Sequence, residues 1–278
     1  MALKLVLSLT GDRLILELVR PEHAGFGQVL GGLLGRRPTH EASRTPIARV
    51  VLVGPMDAGN VVASLGRALA DLQALHGKAL KGMPMDVQLG LDHARIGLVD
   101  LSGVSPAALT AGNCDAYAQA WVAQMLHLDA STPIVRWALH ELPQKLLVSC
   151  VGRQIVDALA NSCAQSGLKF SSCRPAMLSA LKRQTRDPRA EPAADLTLVW
   201  TEVDAQGGRS GGVQFLRWHN KHLSALWRGW VPRSPSEGGN DLALEEAITR
   251  FERANPARSG GSVDRVVWPS PAAAGTLA

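Results

Sequence analysis

Three short stretches of the sequence carry residue types that could do chemistry. His140-Glu141 has the first two residues of a zinc-protease motif, but the second histidine is missing and Pro143 would break the helix that both ligands need. Asp92-His93 falls at a turn, where both residue types are common for backbone reasons. Ser149-Cys150 lies inside an apolar strand pattern, which favours a core position over a nucleophile. Neither a G-x-S-x-G elbow nor a G-x-x-x-x-G-K-[ST] loop occurs, so these stretches predict no active site and no metal ligands.

The glycine-rich segment 20–46 is a second candidate. Gly25 and Gly27 form a G-x-G pair after a strand-like run, and glycine amides can approach an anion closely. However, apolar residues such as Phe26 interrupt the glycines, and Pro21 separates them from the strand. This pattern favours a flexible insertion, with a phosphate loop as the alternative.

The run from Trp218 to Arg233 is the most unusual local composition, because it mixes tryptophans with basic residues. Tryptophan and arginine are enriched at protein interfaces and also stack on bases. One interpretation is that Trp218 and Trp227 fill a core; the others are a protein-binding surface and a nucleic-acid site. Our candidate contacts for a protein partner are Trp227, Arg228 and Trp230.

Composition sets the class of protein. The chain has 278 residues, 46% of them apolar, and a formal net charge of +5 that is spread along the sequence. The four cysteines show no zinc or C-x-x-C spacing, which fits a reducing compartment. The apolar run after Lys4 is shorter than an export signal requires, and no run approaches the ~20 residues that span a bilayer. We therefore expect a cytoplasmic protein that reaches a membrane only through a partner.

Apolar periodicity predicts the elements that must position these residues. Strand-like runs lie at 3–9, 13–19, 48–53, 86–91, 94–101, 134–141, 145–150, 169–173, 196–203, 213–219 and 223–227, with helical patterns at about 60–77, 115–128, 151–166 and 241–254. The runs Asp86–Leu91 and Ala94–Leu101 are close enough to predict an antiparallel hairpin. The polar stretch 184–194 predicts a seam, and residues 255–278 predict a mobile tail in which 263–268 could be a short strand or a docking segment. The fold class is therefore α/β, with mixed sheets covered by helices.

This order of elements resembles the actin-like, ribonuclease H-like fold of PilM-type proteins of type IV pili and of GspL-type cytoplasmic domains of type II secretion. The likeness is carried by Val87–Leu101, by the Tyr117–Trp121 helix, and by Leu146–Leu159 continuing to Leu178. The polar seam favours two lobes over a single one: a first lobe at 1–185, which contains the insertion 20–46, and a smaller second lobe at 186–254.

The same resemblance provides a test for nucleotide binding. Members that bind nucleotide carry an Asp in the first strand, before a turn whose amides cradle phosphate. Ser8 stands where that Asp is expected, and Asp12 lies at the turn. In the second lobe Trp200 stands near the corresponding place, with Glu202 displaced toward the hairpin tip. The resemblance therefore implies a fold that has lost ATP hydrolysis.

Three functions follow as hypotheses. The first is a non-catalytic scaffold, without cofactor or metal, in bacterial type IV pilus or type II secretion assembly; its partner would be an inner-membrane component or an assembly ATPase. The second is a nucleotide-binding ATPase that uses Asp12 and Glu202 as unusual metal ligands. The third is a basic nucleic-acid-binding module that uses Trp227, Arg228 and Trp230.

Overall fold

The structure is a computed structural model that describes residues 3–20, 46–77, 80–126, 133–140, 144–179, 195–203, 210–219, 222–232, 242–256 and 264–269. Both interpretations of the glycine-rich segment 20–46 fall almost wholly outside the described residues, as do the predicted seam at 184–194 and most of the His140–Pro143 stretch.

The strands of the described residues are β1 (Lys4–Leu9), β2 (Arg13–Val19), β3 (Ala48–Val53), β4 (Pro84–Leu89), β5 (Ala94–Asp100), β6 (Pro133–His140), β7 (Lys145–Gly152), β8 (Lys169–Pro175), β9 (Asp195–Val203), β10 (Ser210–His219), β11 (His222–Pro232) and β12 (Asp264–Pro269). The helices are α1 (Asn60–His76), α2 (Ala111–Leu126), α3 (Arg153–Gln165) and α4 (Leu242–Ala254). These elements confirm the predicted fold class, in which helices alternate with mixed sheets.

The first sheet has the strand order β3-β2-β1-β4-β8. β1 pairs antiparallel with β2 and parallel with β4, and β8 runs parallel to β4. Alternate leucines of β1 and β2 point to one face because side chains alternate along a strand. They pack in one core with the inner faces of α1 and α3: Leu5, Leu7, Leu9, Leu14, Leu16, Leu18, Leu65, Leu72, Ile155 and Leu159.

Both ends of α1 follow from local chemistry. Asp57 Oδ1 accepts the backbone N–H groups of Gly59 and Asn60, each at 2.9 Å. Such bonds satisfy donors that the first helical turn leaves free. The helix stops at Gly77, which has a φ of 67° and donates its N–H to Gln73 O. Glycine adopts this left-handed conformation without steric cost, so the sequence correctly predicted the stop.

The three-stranded sheet has the order β5-β7-β6 and is inserted between β4 and α3. One of its faces packs on α2 through a core that includes Ala118, Val122 and Val148. The predicted hairpin of Asp86–Leu91 with Ala94–Leu101 is wrong, because β4 lies in the first sheet and β5 pairs with β7. Both sides of β4 are taken by parallel neighbours, so the chain must leave for a different sheet at residues 90–93.

The second sheet has the order β11-β10-β9-β12 and repeats part of the first. β9 pairs antiparallel with β10 and parallel with β12, as β1 does with β2 and β4. α4 precedes the parallel strand, as α1 precedes β4, and buries the predicted residues Leu244, Ile248 and Phe251. β12 matches the short strand that was one of the two interpretations of residues 263–268, and it is held by parallel pairing with β9.

The inserted sheet and the second sheet share a core, which the turn after β4 also joins. Leu91 from this turn and Ile96 from β5 pack with residues of β9 and β10, among them Leu198, Trp200 and Leu216. The turn between β4 and β5 therefore lies at the junction of all three sheets.

Candidate functional site

A narrow cleft lies where the first sheet meets β9 of the second. Its lining includes the residues that the family comparison selected on both sides: Ser8, Trp200 and Glu202, together with Leu9, Thr10, Arg13, Ile15, Gln88, Gly90 and Ala176. The volume enclosed by these residues is about 10 Å³, which is room for roughly one water molecule. The fold thus brings the predicted positions together, but they enclose very little space.

Glu202 is the buried acidic group of this cleft, with 6% of its surface exposed. The Leu91 N–H donates to both carboxyl oxygens, at 2.9 Å to Oε1 and 2.8 Å to Oε2, and Trp200 Nε1 donates to Oε1 at 3.0 Å. A Cβ added at Gly90 would stand 2.7 Å from each of these oxygens, closer than side-chain atoms pack. Glycine at position 90 is therefore what lets the carboxyl group reach the turn.

Leu91 is held at its carbonyl as well as at its amide. Arg228 donates a guanidinium N–H to Leu91 O at 2.7 Å, and Arg95 donates to the same oxygen. The Leu91 side chain is buried and extends toward Gly212, where a Cβ would lie 3.1 Å from Leu91 Cδ1. Side chains from two strands of the second sheet, β9 and β11, thus form hydrogen bonds with Leu91.

The turn between β1 and β2 is held in a similar way. The Gly11 N–H donates to Asp92 Oδ2 at 3.1 Å, and a Cβ at Gly11 would lie 2.6 Å from that oxygen. His93 donates from Nε2 to Thr10 O at 2.9 Å, so the predicted Asp92-His93 pair serves the backbone, as the turn chemistry suggested. Asp12 accepts a hydrogen bond from Thr10 Oγ1 at 3.0 Å.

These contacts and burial shift several pKa values. Burial raises the pKa of Glu202 to about 7, although the hydrogen bonds from Trp200 and Leu91 act to lower it. Burial lowers the pKa of Arg228 to about 10, with the nearby positive charge of Arg95 acting in the same direction. Burial also lowers the pKa of His93 below its ordinary value, so the neutral ring is favoured. Burial therefore shifts the pKa of each of these three groups toward its neutral form, although Arg228 remains charged near neutral pH.

The arrangement does not fit a magnesium-nucleotide through the proposed ligands Asp12 and Glu202. Both Glu202 oxygens face N–H donors rather than open space, and Asp12 does not line the cleft. Within the described ranges no three His, Cys, Asp or Glu side chains are grouped so that they could hold a metal ion. The amides of Gly11 and Leu91, which could serve an anion, already bind carboxylates of the same chain.

The three candidate partner contacts lie on β11, which ends the second sheet in the described part of the chain. Trp227 is 41% exposed and stacks on Phe215 with ring centroids 5.0 Å apart, whereas Trp230 is 60% exposed. Because side chains alternate, Trp230 shares a face with Arg228 and Trp227 lies on the other. The three candidate contacts therefore lie on two opposite faces of the sheet, and Arg228 is hydrogen-bonded to the Leu91 carbonyl.

The candidate nucleophiles Ser149 and Cys150 both lie on β7, inside the three-stranded sheet. Cys150 is buried beside Arg95, and burial raises the pKa of its thiol, which disfavours the reactive thiolate. Ser149 Oγ donates to the Arg136 carbonyl at 3.5 Å on the neighbouring strand. Neither is placed as a nucleophile.

Sequence reasoning missed the role of Leu91 and the convergence of Arg95 and Arg228 on it, because no local pattern marks a contact between strands so far apart. One signal was present for Glu202. It follows Leu198 and Trp200 at intervals of two residues, which places its side chain on the same face as theirs. Since that face is apolar, a buried and perturbed carboxyl group could have been predicted.

No family model and no curated protein sequence matches this chain. Among solved structures, the cytoplasmic domain of EpsL, an inner-membrane component of the type II secretion system of Vibrio cholerae, matches 96% of this chain and 83% of its own, with a TM-score of 0.50 and 10% identity. The PilM-PilN type IV pilus biogenesis complex matches 90% of this chain and 70% of its own, with a TM-score of 0.51 and 12% identity. A Bacteroides thetaiotaomicron protein of actin-like ATPase fold and unknown function matches 96% and 81%, with a TM-score of 0.47 and 7% identity.

None of the described helices has the length and apolar character needed to cross a membrane. The pilus and secretion proteins match this chain over nearly its whole length, and its second sheet repeats the strand order β3-β2-β1-β4 of its first. The chain therefore has the actin-like fold that its sequence predicted.

Proposed function

We propose that this protein is a non-catalytic scaffold in the assembly of a bacterial type IV pilus or type II secretion machine, and that its cleft has become a structural joint. The observation that carries the proposal is the pairing of Glu202 with the Leu91 amide. A nucleotide-binding relative would need free N–H donors at this place to bind phosphate. Here the Leu91 N–H and the Trp200 indole N–H donate instead to the buried carboxyl group of Glu202.

Charge supports the same conclusion. A phosphate chain entering the cleft would meet the Asp92 carboxylate at Gly11 and the Glu202 carboxyl group at Leu91. Displacing the buried Glu202 would leave its carboxyl group without its hydrogen-bond donors, which is costly in a buried site, and a phosphate at Gly11 would meet the negative charge of Asp92. On the first strand Ser8 cannot supply the negative charge that a magnesium ion seeks.

The partner follows by analogy with the matched proteins. One of them is an inner-membrane component of a secretion system and another forms a complex in pilus biogenesis. For this chain we propose a short cytoplasmic segment of an inner-membrane component, or an assembly ATPase, as the partner. Trp230 is the best placed contact, because its indole is largely exposed on a strand at the end of a sheet.

Thermal unfolding with and without magnesium-ATP tests the lost nucleotide site. We expect no change in Tm at millimolar ATP, whereas a nucleotide at a hundred times its Kd would stabilise the fold by roughly 2.7 kcal/mol. An ATP-binding actin-like protein measured in parallel shows that the assay responds. A saturable rise in Tm with magnesium-ATP, or ATP hydrolysis above background, would refute the proposal. Co-purification with cytoplasmic segments of inner-membrane assembly proteins from the same genome tests the partner.

A further inference from the structure

We propose that β11 binds the partner segment as an added strand, which pairs with its outer side between Ala225 and Trp230. The segment is extended and carries apolar side chains on both of its faces. This inference deepens the proposed scaffold function, because it specifies how the partner binds, and it rests on that function for the existence of a partner.

β11 is the end strand of its sheet in the part of the chain that the structure describes, since the strand order is β11-β10-β9-β12. On an end strand every second residue directs its N–H and C=O groups away from the neighbouring strand. The side of β11 that faces away from β10 therefore offers backbone donors and acceptors with which a further strand can pair.

The beginning of β11 is protected against such pairing, but the strand beyond it is not. The ladder between β10 and β11 skips Ser224, whose carbonyl accepts a hydrogen bond from Lys145 Nζ. A bulge, or a side chain that covers the edge, stops a sheet from pairing further. From there to Trp230, β11 contains neither lysine nor proline, and its one charged side chain, Arg228, is turned toward the Leu91 carbonyl.

Two exposed tryptophans flank this edge on opposite faces of the sheet. Trp227 is 41% exposed and shares its face with Phe215, whereas Trp230 is 60% exposed and shares its face with Gly212 and the Leu91 turn. A partner that docked flat on one face of the sheet would cover one indole and leave the other in water. A strand paired with β11 passes between the two indoles and places side chains against both of them.

The surroundings of the edge select an apolar segment. On the Trp227 face, Phe215 and Ala225 belong to the core that packs under α4. On the Trp230 face, Leu226 packs against the core that the second sheet shares with the inserted sheet. Because both faces are apolar beside the edge, the added strand gains most from β-branched or aromatic residues at successive positions, rather than at alternate ones.

A display library of random peptides of about ten residues, an ordinary strand length, tests the edge without any component of a pilus or secretion machine. We expect selection on the immobilised protein to enrich peptides with consecutive β-branched or aromatic residues. Hydrogen exchange measured by NMR on the free and the peptide-bound protein then reports on the β11 backbone. On binding, every second amide between Ala225 and Trp230 should gain protection of at least about tenfold.

Methylation of the peptide's own amides gives a second readout. In an added strand alternate N–H groups donate to the neighbouring strand, and the others point away from it. N-methylation of one alternate set should therefore lower the affinity by at least about tenfold, while methylation of the other set should change it by less than about threefold.

Trp227→Ala and Trp230→Ala should each weaken binding of the selected peptides by at least about tenfold. Met125→Ala, at an equally exposed apolar position on α2, is the matched control and should leave the affinity unchanged. Trp227 stacks on Phe215, so its replacement could prevent folding. In that case the exchange and methylation readouts on the wild-type protein decide.

A loss of affinity with only one of the two tryptophan substitutions, or protection that does not alternate along β11, would indicate docking on a face and overturn the proposal. Protection of all these amides in the free protein would mean that another strand, from a second copy or from the same chain, already occupies the edge, and it would overturn the proposal as well. A library that yields no binder does the same. Each of these results leaves the scaffold function itself standing, because the magnesium-ATP and co-purification experiments test it separately.

Discussion

Replacing Glu202 with glutamine should change how the stability of the whole protein depends on pH. The folded protein holds a proton on Glu202 up to a pKa of about 7, and the unfolded chain releases it near 4.5. Between these values the native state binds more protons than the unfolded state, so the free energy of unfolding falls as the pH rises. Stability from this group is therefore complete below pH 4.5 and is lost as the pH passes 7.

The magnitude follows from the same two values. Their separation corresponds to about 3 kcal/mol of unfolding free energy, because one pKa unit is worth 1.36 kcal/mol. Most of this loss falls between pH 5 and pH 8. Glu202 is nearly fully buried, so solvent screening does not reduce the effect as it would at the surface.

Urea unfolding followed by tryptophan fluorescence at pH 5 and pH 8 measures the difference. The wild-type protein should lose roughly 2 kcal/mol more than Glu202→Gln over this range. The comparison is between slopes, because the glutamine amide near the Leu91 N–H adds an offset that does not depend on pH. His93, whose pKa is lowered by burial, makes stability fall below pH 6.5, but it is present in both proteins and cancels. Equal slopes in the two proteins would refute the assignment of a buried, protonated Glu202.

Three further predictions concern packing, partner binding and thiol chemistry. Gly97→Ala should cost about 1–3 kcal/mol of unfolding free energy, because its Cβ would stand 1.9 Å from the Trp121 ring. In a Trp121→Leu background the same change should cost little. If urea unfolding shows that the costs of the two substitutions simply add, the predicted clash is contradicted. Trp230→Ala should weaken binding of the inner-membrane partner by at least about tenfold in calorimetry, while Leu75→Ala, an equally exposed position on α1, should not; equal losses would argue against a β11 site. Cys163, fully buried with a pKa of about 11, should resist iodoacetamide at pH 7.5 until the protein is unfolded, and labelling of the native protein by mass spectrometry would show otherwise.

Much of the fold could be predicted from local pattern. The Ala48–Val53 strand, the first hairpin and the Gly77 stop depend on alternation, short loops and a glycine conformation, all of which a sequence displays. The separation of β4 from β5 could not be predicted, because it depends on which distant strands occupy the two sides of β4. Residues 263–268 were expected as a possible short strand, but the pairing of β12 could not be predicted for the same reason, because its parallel partner β9 lies more than 60 residues earlier in the chain. Ser8 and Glu202 were identified through the family comparison, but the partner of Glu202 was not.

The turn that carries Leu91 connects the proton-binding group with the proposed partner surface. Glu202 binds the amide of Leu91, and Arg228 binds its carbonyl. On β11, Arg228 shares a face with Trp230, which lies opposite Gly212, the residue toward which the Leu91 side chain extends. A partner segment that orders Trp230 would restrict the same residue that Glu202 holds. Because coupling between two sites is reciprocal, a bound partner that restricts Leu91 should change the affinity of Glu202 for its proton, and the protonation of Glu202 should change the affinity for the partner by the same factor.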